Sequence, residues 1–147
     1  MMKLLFIHPL VKILAVIFIS TSLQAVEIEI QNPWVKLPFP GMKMTGGYMK
    51  LINKSEKDIR LLKVTGDDCE AYEIHTHTKV EGIMKMRQVK DLLIKAHDTV
   101  TLKPKSFHIM MIQLKEKIKI GQLMKMTLHF DHGGSIEVTA PVKKHNP

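Results

Sequence analysis

Residues 106–114 read Ser-Phe-His-Ile-Met-Met-Ile-Gln-Leu, and this short stretch decides how the chain folds. Side chains of a β-strand alternate between two faces, so residues two positions apart point the same way. The stretch therefore predicts a strand with one face for the core, which carries Phe107, Ile109 and Met111. The opposite face carries His108 and Met110. Such a strand leaves an imidazole and a thioether available for chemistry.

Segments of the same kind recur along the chain from residue 26 onward. Short alternating or β-branched runs are broken by turn residues, and no apolar stripe with helical spacing reaches a convincing length. Turns are indicated at residues 38–41, 66–68, 104–105 and 131–134. The predicted strands are 26–31, 47–53, 58–64, 70–77, 82–90, 99–103, 106–114, 124–130 and 135–142. About nine short strands predict an all-β domain, built as a β-barrel or sandwich.

Residues 1–25 differ from the rest of the chain. Lys3 and Lys12 are the only charged residues there, residues 13–19 are wholly apolar, and small and polar side chains follow up to Ala25. This composition predicts a cleavable secretory signal peptide. The apolar run is far below the roughly 20 residues that a membrane-spanning helix needs. We therefore expect an exported protein that is not embedded in the membrane.

One domain is predicted after the signal peptide, at residues 26–142, with a short tail at 143–147. The chain is basic, with 22 lysines and arginines against 14 aspartates and glutamates. The lysines are scattered, which together with export argues against nucleic-acid binding; they form a solvated surface or steer the protein towards an acidic partner. Cys69 is the sole cysteine, so it has no partner for an intramolecular disulfide. Stability must come from packing, and we expect a monomer.

Two more strands carry metal-binding side chains on one face. Glu73, His75 and His77 share a face of one predicted strand, and Met84 and Met86 share a face of the next. Thioether sulfur is soft and binds Mg²⁺ and Ca²⁺ poorly, whereas imidazole binds many first-row metals, so the mixture favours Cu(I). Each set also has an ordinary interpretation, the histidines as solvated surface groups and the methionines as core residues of an amphipathic strand. The residues taken strand by strand leave both interpretations open.

Four of these residues together show a more specific spacing. Ten residues separate His75 from Met86, twenty-one separate Met86 from His108, and one separates His108 from Met110. The spacing resembles the His-x10-Met-x21-His-x-Met motif of the periplasmic copper chaperones of the PCu(A)C family. Similar surroundings are Gly-Gly-Tyr-Met at 46–49, Glu-Ile-His at 73–75, Gly-Ile-Met-Lys-Met-Arg at 82–87 and Phe-His-Ile-Met-Met at 107–111. The resemblance covers essentially the whole chain after residue 25.

This resemblance implies a cupredoxin-like β-barrel and a Cu(I) site made of His75, Met86, His108 and Met110. It also implies a periplasmic carrier, not an enzyme. The recipient would be the CuA centre in subunit II of cytochrome c oxidase, reached directly or through a thioredoxin-like copper assembly factor. One position departs from the family, because His77 stands where methionine is usual. An imidazole there would add affinity for Cu(II), compete with His75 or do nothing, and we expect a peripheral, auxiliary role.

Other functions remain open at this point. A copper-buffering or resistance protein would use the same ligands, and a β-sandwich interaction module would need no metal. A blue-copper site needs a cysteine thiolate with two histidines and a weak axial methionine, and the sequence around Cys69 lacks that cluster. No nucleophile elbow or zinc-protease helix motif indicates an enzyme.

Histidines and methionines outside the motif carry weaker predictions. His129, His132 and His145 are candidates for an auxiliary Cu(II) site, with solvated loop histidines as the alternative. Met42 and Met44 lie in a loop rich in proline and glycine, where they approach the copper site, pack against the domain or stay exposed.

Overall fold

Ten β-strands form the fold in the computed structural model, which describes residues 27–131 and 134–144. The strands are β1 (Ile28–Lys36), β2 (Met44–Asn53), β3 (Ile59–Thr65), β4 (Cys69–Val80), β5 (Ile83–Gln88), β6 (Leu92–Ile94), β7 (Thr99–Leu102), β8 (His108–Leu114), β9 (Leu123–Phe130) and β10 (Ser135–Lys143). The predicted signal peptide lies outside the described residues. Within the described part, no helix is long and apolar enough to cross a membrane.

The strands are hydrogen-bonded in the order β5-β4-β8-β2-β1-β10-β9-β3-β6, and β7 pairs with the far end of β2. β1 runs parallel to β10, and the other pairings of the described strands are antiparallel. The two halves of this order face each other. A Cβ added to Gly47 of β2 would lie 3.6 Å from the Cε atom of Met126 on β9. The fold is therefore a sandwich whose halves are joined through β1 and β10.

One apolar core fills the space between the halves. Ile109 and Met111 of β8 enter it from one side, and Leu61 and Leu128 enter it from the other, all fully buried. Each such side chain contributes about 1.5–3 kcal/mol by leaving water. The predicted core face of the 106–114 stretch is confirmed, because Phe107 also packs against this cluster. The opposite face of β8, which carries His108 and Met110, therefore lies on the outer side of the sandwich.

The prediction of an all-β fold is confirmed, and each predicted strand overlaps an observed one. The tenth strand, β6, was not predicted because three residues are too few to show a pattern; it pairs with the start of β3. β1 also runs past its predicted end through a β-bulge, where Asn32 has a φ of +50° and the register shifts. At the other end of the domain, β10 reaches Lys143, which pairs with Lys36.

Candidate metal site

A two-residue turn sets the register of the β4–β5 hairpin. Its central residues, Glu81 and Gly82, have φ values of +51° and +80°, the positive values that a type I′ turn needs at both positions. The hairpin places Met86 directly opposite His77. A slip by one residue would turn every β5 side chain to the other face. The turn therefore decides that Met86 lies on the same face as the histidines of β4.

The pairing of β4 with β8 brings together the other predicted ligands. His75 lies directly opposite His108, and Glu73 lies directly opposite Met110. The centroids of the two imidazole rings are 5.8 Å apart. On the far side of β8, Gly46 of β2 pairs with Met110 and offers no side chain that would cover it. Four adjacent strands thus present one continuous face with imidazoles and thioethers at its centre.

Met86 and His108 are in direct contact. The Sδ atom of Met86 lies 3.1 Å from Nε2 of His108. Met86 is 40% exposed, and its neighbour on the same face, Met84, is also exposed. The interpretation of these two methionines as core residues is therefore wrong. β5 is an edge strand, and this face of it lies outside the sandwich core.

A backbone hydrogen bond determines which ring nitrogen of His108 carries the hydrogen. Its Nδ1 lies 2.9 Å from the carbonyl oxygen of Ser106, so Nδ1 carries the hydrogen and donates it. Nε2, the atom next to Met86, then keeps its lone pair. Burial lowers the pKa of His108 below its ordinary value of 6.5; the imidazoles of His77 and His75 act in the same direction, against the Ser106 carbonyl, which raises it. His108 is therefore neutral at pH 7, the form that binds a metal.

His75 is oriented by a carboxylate. Its Nε2 lies 2.7 Å from Oε2 of Glu73, two residues earlier on the same face of β4. With Nε2–H donated to this oxygen, Nδ1 is the nitrogen with a free lone pair. That atom is buried and has no hydrogen-bond partner among the described residues. A carboxylate behind an imidazole is the usual outer support of a metal-binding histidine, because it fixes the tautomer and the ring orientation.

A cavity of about 500 Å³ opens over this face. Four methionines and two histidines line it: Met42, Met44, Met86, Met110, His77 and His108. His75 does not line the cavity and lies beside it, across from His108. In residues 27–131 and 134–144, no set of three or more His, Cys, Asp and Glu side chains is arranged to hold a metal ion by itself. A soft-metal site at the centre of this face would combine imidazole nitrogen with thioether sulfur.

His77 is part of the cavity wall. Its ring centroid is 5.4 Å from that of His108, and its Nδ1 lies 3.5 Å from the carbonyl of Ser106 that also binds His108. The structure therefore places His77 as near to His108 as it places His75. Its auxiliary role stays a prediction.

Two groups at this site were not predicted from the sequence. Strand alternation placed Glu73 on the same face as His75, which was a signal that the two side chains could meet, but their contact was not predicted. The carbonyl of Ser106 left no signal in the sequence, because whether a backbone oxygen accepts a hydrogen bond from an imidazole depends on how the chain enters β8. Both contact predicted ligands, Glu73 through His75 and Ser106 through His108.

His129 lies on β9, in the other half of the sandwich. His129 hydrogen-bonds through Nε2 to Oγ1 of Thr65 at 2.7 Å, and its proposed companions His132 and His145 lie outside the described residues. Cys69 is buried, its Sγ donates to the carbonyl of Ala71 at 3.2 Å, and burial raises the pKa of the thiol. A buried, protonated thiol is not a reactive nucleophile.

Comparison with known proteins identifies the family of the chain. A family model described as "Putative lipoprotein LpqE-like" matches residues 28–142. The chain belongs to this LpqE-like family. It is 32% identical over 127 residues to the uncharacterized protein RP573 of Rickettsia prowazekii, covering 82% of this chain and 68% of that one. It is 29% identical over 121 residues to the putative lipoprotein Lxx21020 of Leifsonia xyli, covering 82% and 72%.

Solved structures agree with this assignment. DR1885 from Deinococcus radiodurans, in its Cu(I) form, superposes with a TM-score of 0.69 and is 31% identical, covering 85% of this chain and 84% of that one. The copper-bound PCuAC domain from PmoF2 superposes with a TM-score of 0.70 at 21% identity, covering 83% and 97%, which supports the fold. The predicted PCu(A)C resemblance and the predicted cupredoxin-like fold of this LpqE-like protein are confirmed.

Proposed function

We propose that this protein is an exported copper chaperone that carries Cu(I) on His75, Met86, His108 and Met110. The observation that carries the proposal is the 3.1 Å contact between Nε2 of His108 and Sδ of Met86. The two atoms are close enough to bind the same ion. With the His108 hydrogen on Nδ1, donated to the Ser106 carbonyl, no hydrogen lies between Nε2 and Sδ. A cation between them would turn an unfavourable contact into two ligand bonds.

The donor set suits the cargo. Thioethers are soft ligands that favour Cu(I), and imidazole is compatible with it. All four ligands bind in their neutral forms, so the bound ion keeps its positive charge. The Glu73 carboxylate, hydrogen-bonded to His75, supplies a negative charge behind that ligand. Two solved relatives in the same fold contain copper, one of them Cu(I)-bound DR1885.

Release is explained by the same chemistry. Neutral thioethers hold Cu(I) less tightly than thiolates, so exchange to a partner with cysteine ligands is downhill. Met86 lies on the edge strand and is 40% exposed, whereas His108 is 4% exposed. An incoming ligand can therefore approach the ion on the Met86 side. We expect the imidazoles to leave the ion last.

The proposed recipient is the CuA centre in subunit II of cytochrome c oxidase, reached directly or through a thioredoxin-like copper assembly factor in the periplasm. The family resemblance of the site supports this recipient. A copper buffer would use the same ligands, and the two functions differ in when the cell needs the protein. The carrier role is not enzymatic.

The binding site is tested by Cu(I) competition titration against a chromogenic chelator. Met86→Leu and Met110→Leu each remove one thioether with little change in volume. We expect weaker binding in each and a larger loss in the double variant. Met84→Leu is the matched control, because Met84 is an exposed methionine on the same strand face that does not line the cavity. Unchanged binding in the Met86 and Met110 variants would overturn the site.

Delivery is tested in cells that lack the protein. A chaperone is needed when copper is scarce, so the deletion should lower oxidase activity at low copper and regain it when copper is added. A buffer is needed when copper is abundant. If the deletion strain assembles oxidase normally at low copper but grows poorly at high copper, the protein buffers copper and does not deliver it.

A further inference from the structure

The cavity over the proposed site is larger than one bound ion requires. Its volume is about 500 Å³, whereas one water molecule occupies about 30 Å³ of the liquid. Met42 and Met44 line the cavity together with Met86 and Met110, but they do not belong to the four-ligand set. The cavity therefore contains two thioethers with no assigned role.

Strand register places Met44 next to the proposed ligands. Gly46 of β2 pairs with Met110, and Met44, two residues earlier on the same face, pairs with Ile112. Met44 and Met110 are therefore diagonal neighbours, a relation that puts Cα atoms about 7–8 Å apart and lets long side chains meet. Met44 is 41% exposed, so the core does not bury its sulfur.

A turn holds Met42 at the same opening. The N–H of Met42 donates to the carbonyl of Phe39 at 3.0 Å, and Gly41 has a φ of +84°, which a residue with a side chain rarely adopts. Met42 is 48% exposed. Two methionines at one loop end are thus kept out of the core and beside a soft-metal site.

We propose that Met42 and Met44 form a second Cu(I) position at the mouth of the cavity, through which the ion passes on its way to or from the inner site. This proposal rests on the proposed function. The position has thioether ligands only, and Lys36 and Lys105 line the same cavity. Their charges and that of the inner ion repel a second cation. The outer position therefore binds the ion more weakly than the inner one.

Ag(I) is a redox-inert probe of this position. The full chain, labelled with ¹³C at the methionine methyl groups, is titrated with Ag(I) and followed by NMR. We expect the first equivalent to shift the methyl signals of Met86 and Met110, and the second to shift those of Met42 and Met44. In the Met42→Leu/Met44→Leu variant the second event should weaken by at least about tenfold, as the loss of both ligands implies, while the first is unchanged.

Met84→Leu is the control, and it should keep both binding events. A second equivalent that leaves the Met42 and Met44 signals of the unmodified protein in place would overturn the outer position while the inner site stands. A first equivalent that fails to shift Met86 and Met110 would overturn the proposed function as well. Because the unmodified protein gives both readouts, a folding defect in the double variant does not obscure the result.

Discussion

Removing the carboxylate of Glu73 should weaken copper binding without touching a copper ligand. Oε2 of Glu73 lies 2.7 Å from Nε2 of His75, and this contact leaves Nδ1 of His75 as the free, buried nitrogen. Glu73→Ala leaves the Nε2–H group without its acceptor, so both tautomers of His75 become accessible and the ring loses its fixed orientation. Glu73→Gln keeps an acceptor oxygen but loses the charge.

The size of the effect is set by the position of Glu73 behind a ligand. Loss of an outer partner of a metal-binding histidine typically costs about 10–100-fold in metal affinity, or about 1.4–2.8 kcal/mol. We expect Glu73→Ala near the upper end and Glu73→Gln near the lower end. The stability of the fold should change by less than about 1 kcal/mol, because the side chain is partly exposed to solvent.

Competition titration with Cu(I) measures this directly, with urea denaturation as the check on folding. Glu137→Gln is the matched control, since it removes the same charge from an exposed position on β10. It should bind Cu(I) as the unmodified protein does. Equal Cu(I) affinity in Glu73→Ala and the unmodified protein would refute the positioning role of Glu73.

Four further outcomes are expected. Copper affinity should fall by about tenfold or more between pH 7.5 and pH 5, because imidazoles must be unprotonated to bind; equal affinity at both values would contradict this. Burial lowers the pKa of His108 in the folded protein, so the unfolded chain binds this proton at a higher pH than the folded chain does. In urea denaturation, the contribution of His108 to the free energy of unfolding should be constant above about pH 6.5 and should decrease as the pH falls below that value. Cys69→Ala should leave Cu(I) affinity unchanged, and native Cys69 should react with a thiol reagent only in denaturant; fast native labelling would show an exposed thiol. Leu61→Ala, in the core, should cost about 2–5 kcal/mol in urea denaturation, whereas its exposed neighbour Leu62→Ala should cost far less; similar losses would place the core wrongly.

The two faces of β8 were predictable because the local pattern of residues 106–114 fits only one orientation of the strand. Alternation in residues 106–114 assigns an apolar face and a polar face, and the buried side chains of Ile109 and Met111 leave His108 and Met110 outside the core. The same rule joins His75 to His77. In both strands the two-residue period alone determines which side chains share a face, and the structure agrees with that prediction.

Whether the Met86 side chain points towards the core or away from it was not predictable from the sequence of its own strand. Met-Lys-Met-Arg alternates in either orientation, with methionine or the cations towards the core, and only tertiary structure decides between them. The I′ turn at Glu81–Gly82 and the edge position of β5 make that decision. For Glu73, the sequence shows only that it shares a strand face with His75, because their contact also depends on a side-chain rotamer. The hydrogen bond to Ser106 depends on the direction of the chain before β8, which no pattern of residue types encodes.

The proposed Cu(I) site is best tested by X-ray absorption at the copper edge of the Cu(I)-bound full chain, because this measurement counts the donors around the ion. We predict a shell of two nitrogen and two sulfur donors, with one sulfur lost in Met86→Leu and no change in Met84→Leu. A shell without sulfur, or a sulfur count that Met86→Leu and Met110→Leu both leave unchanged, would contradict a site built from His75, Met86, His108 and Met110.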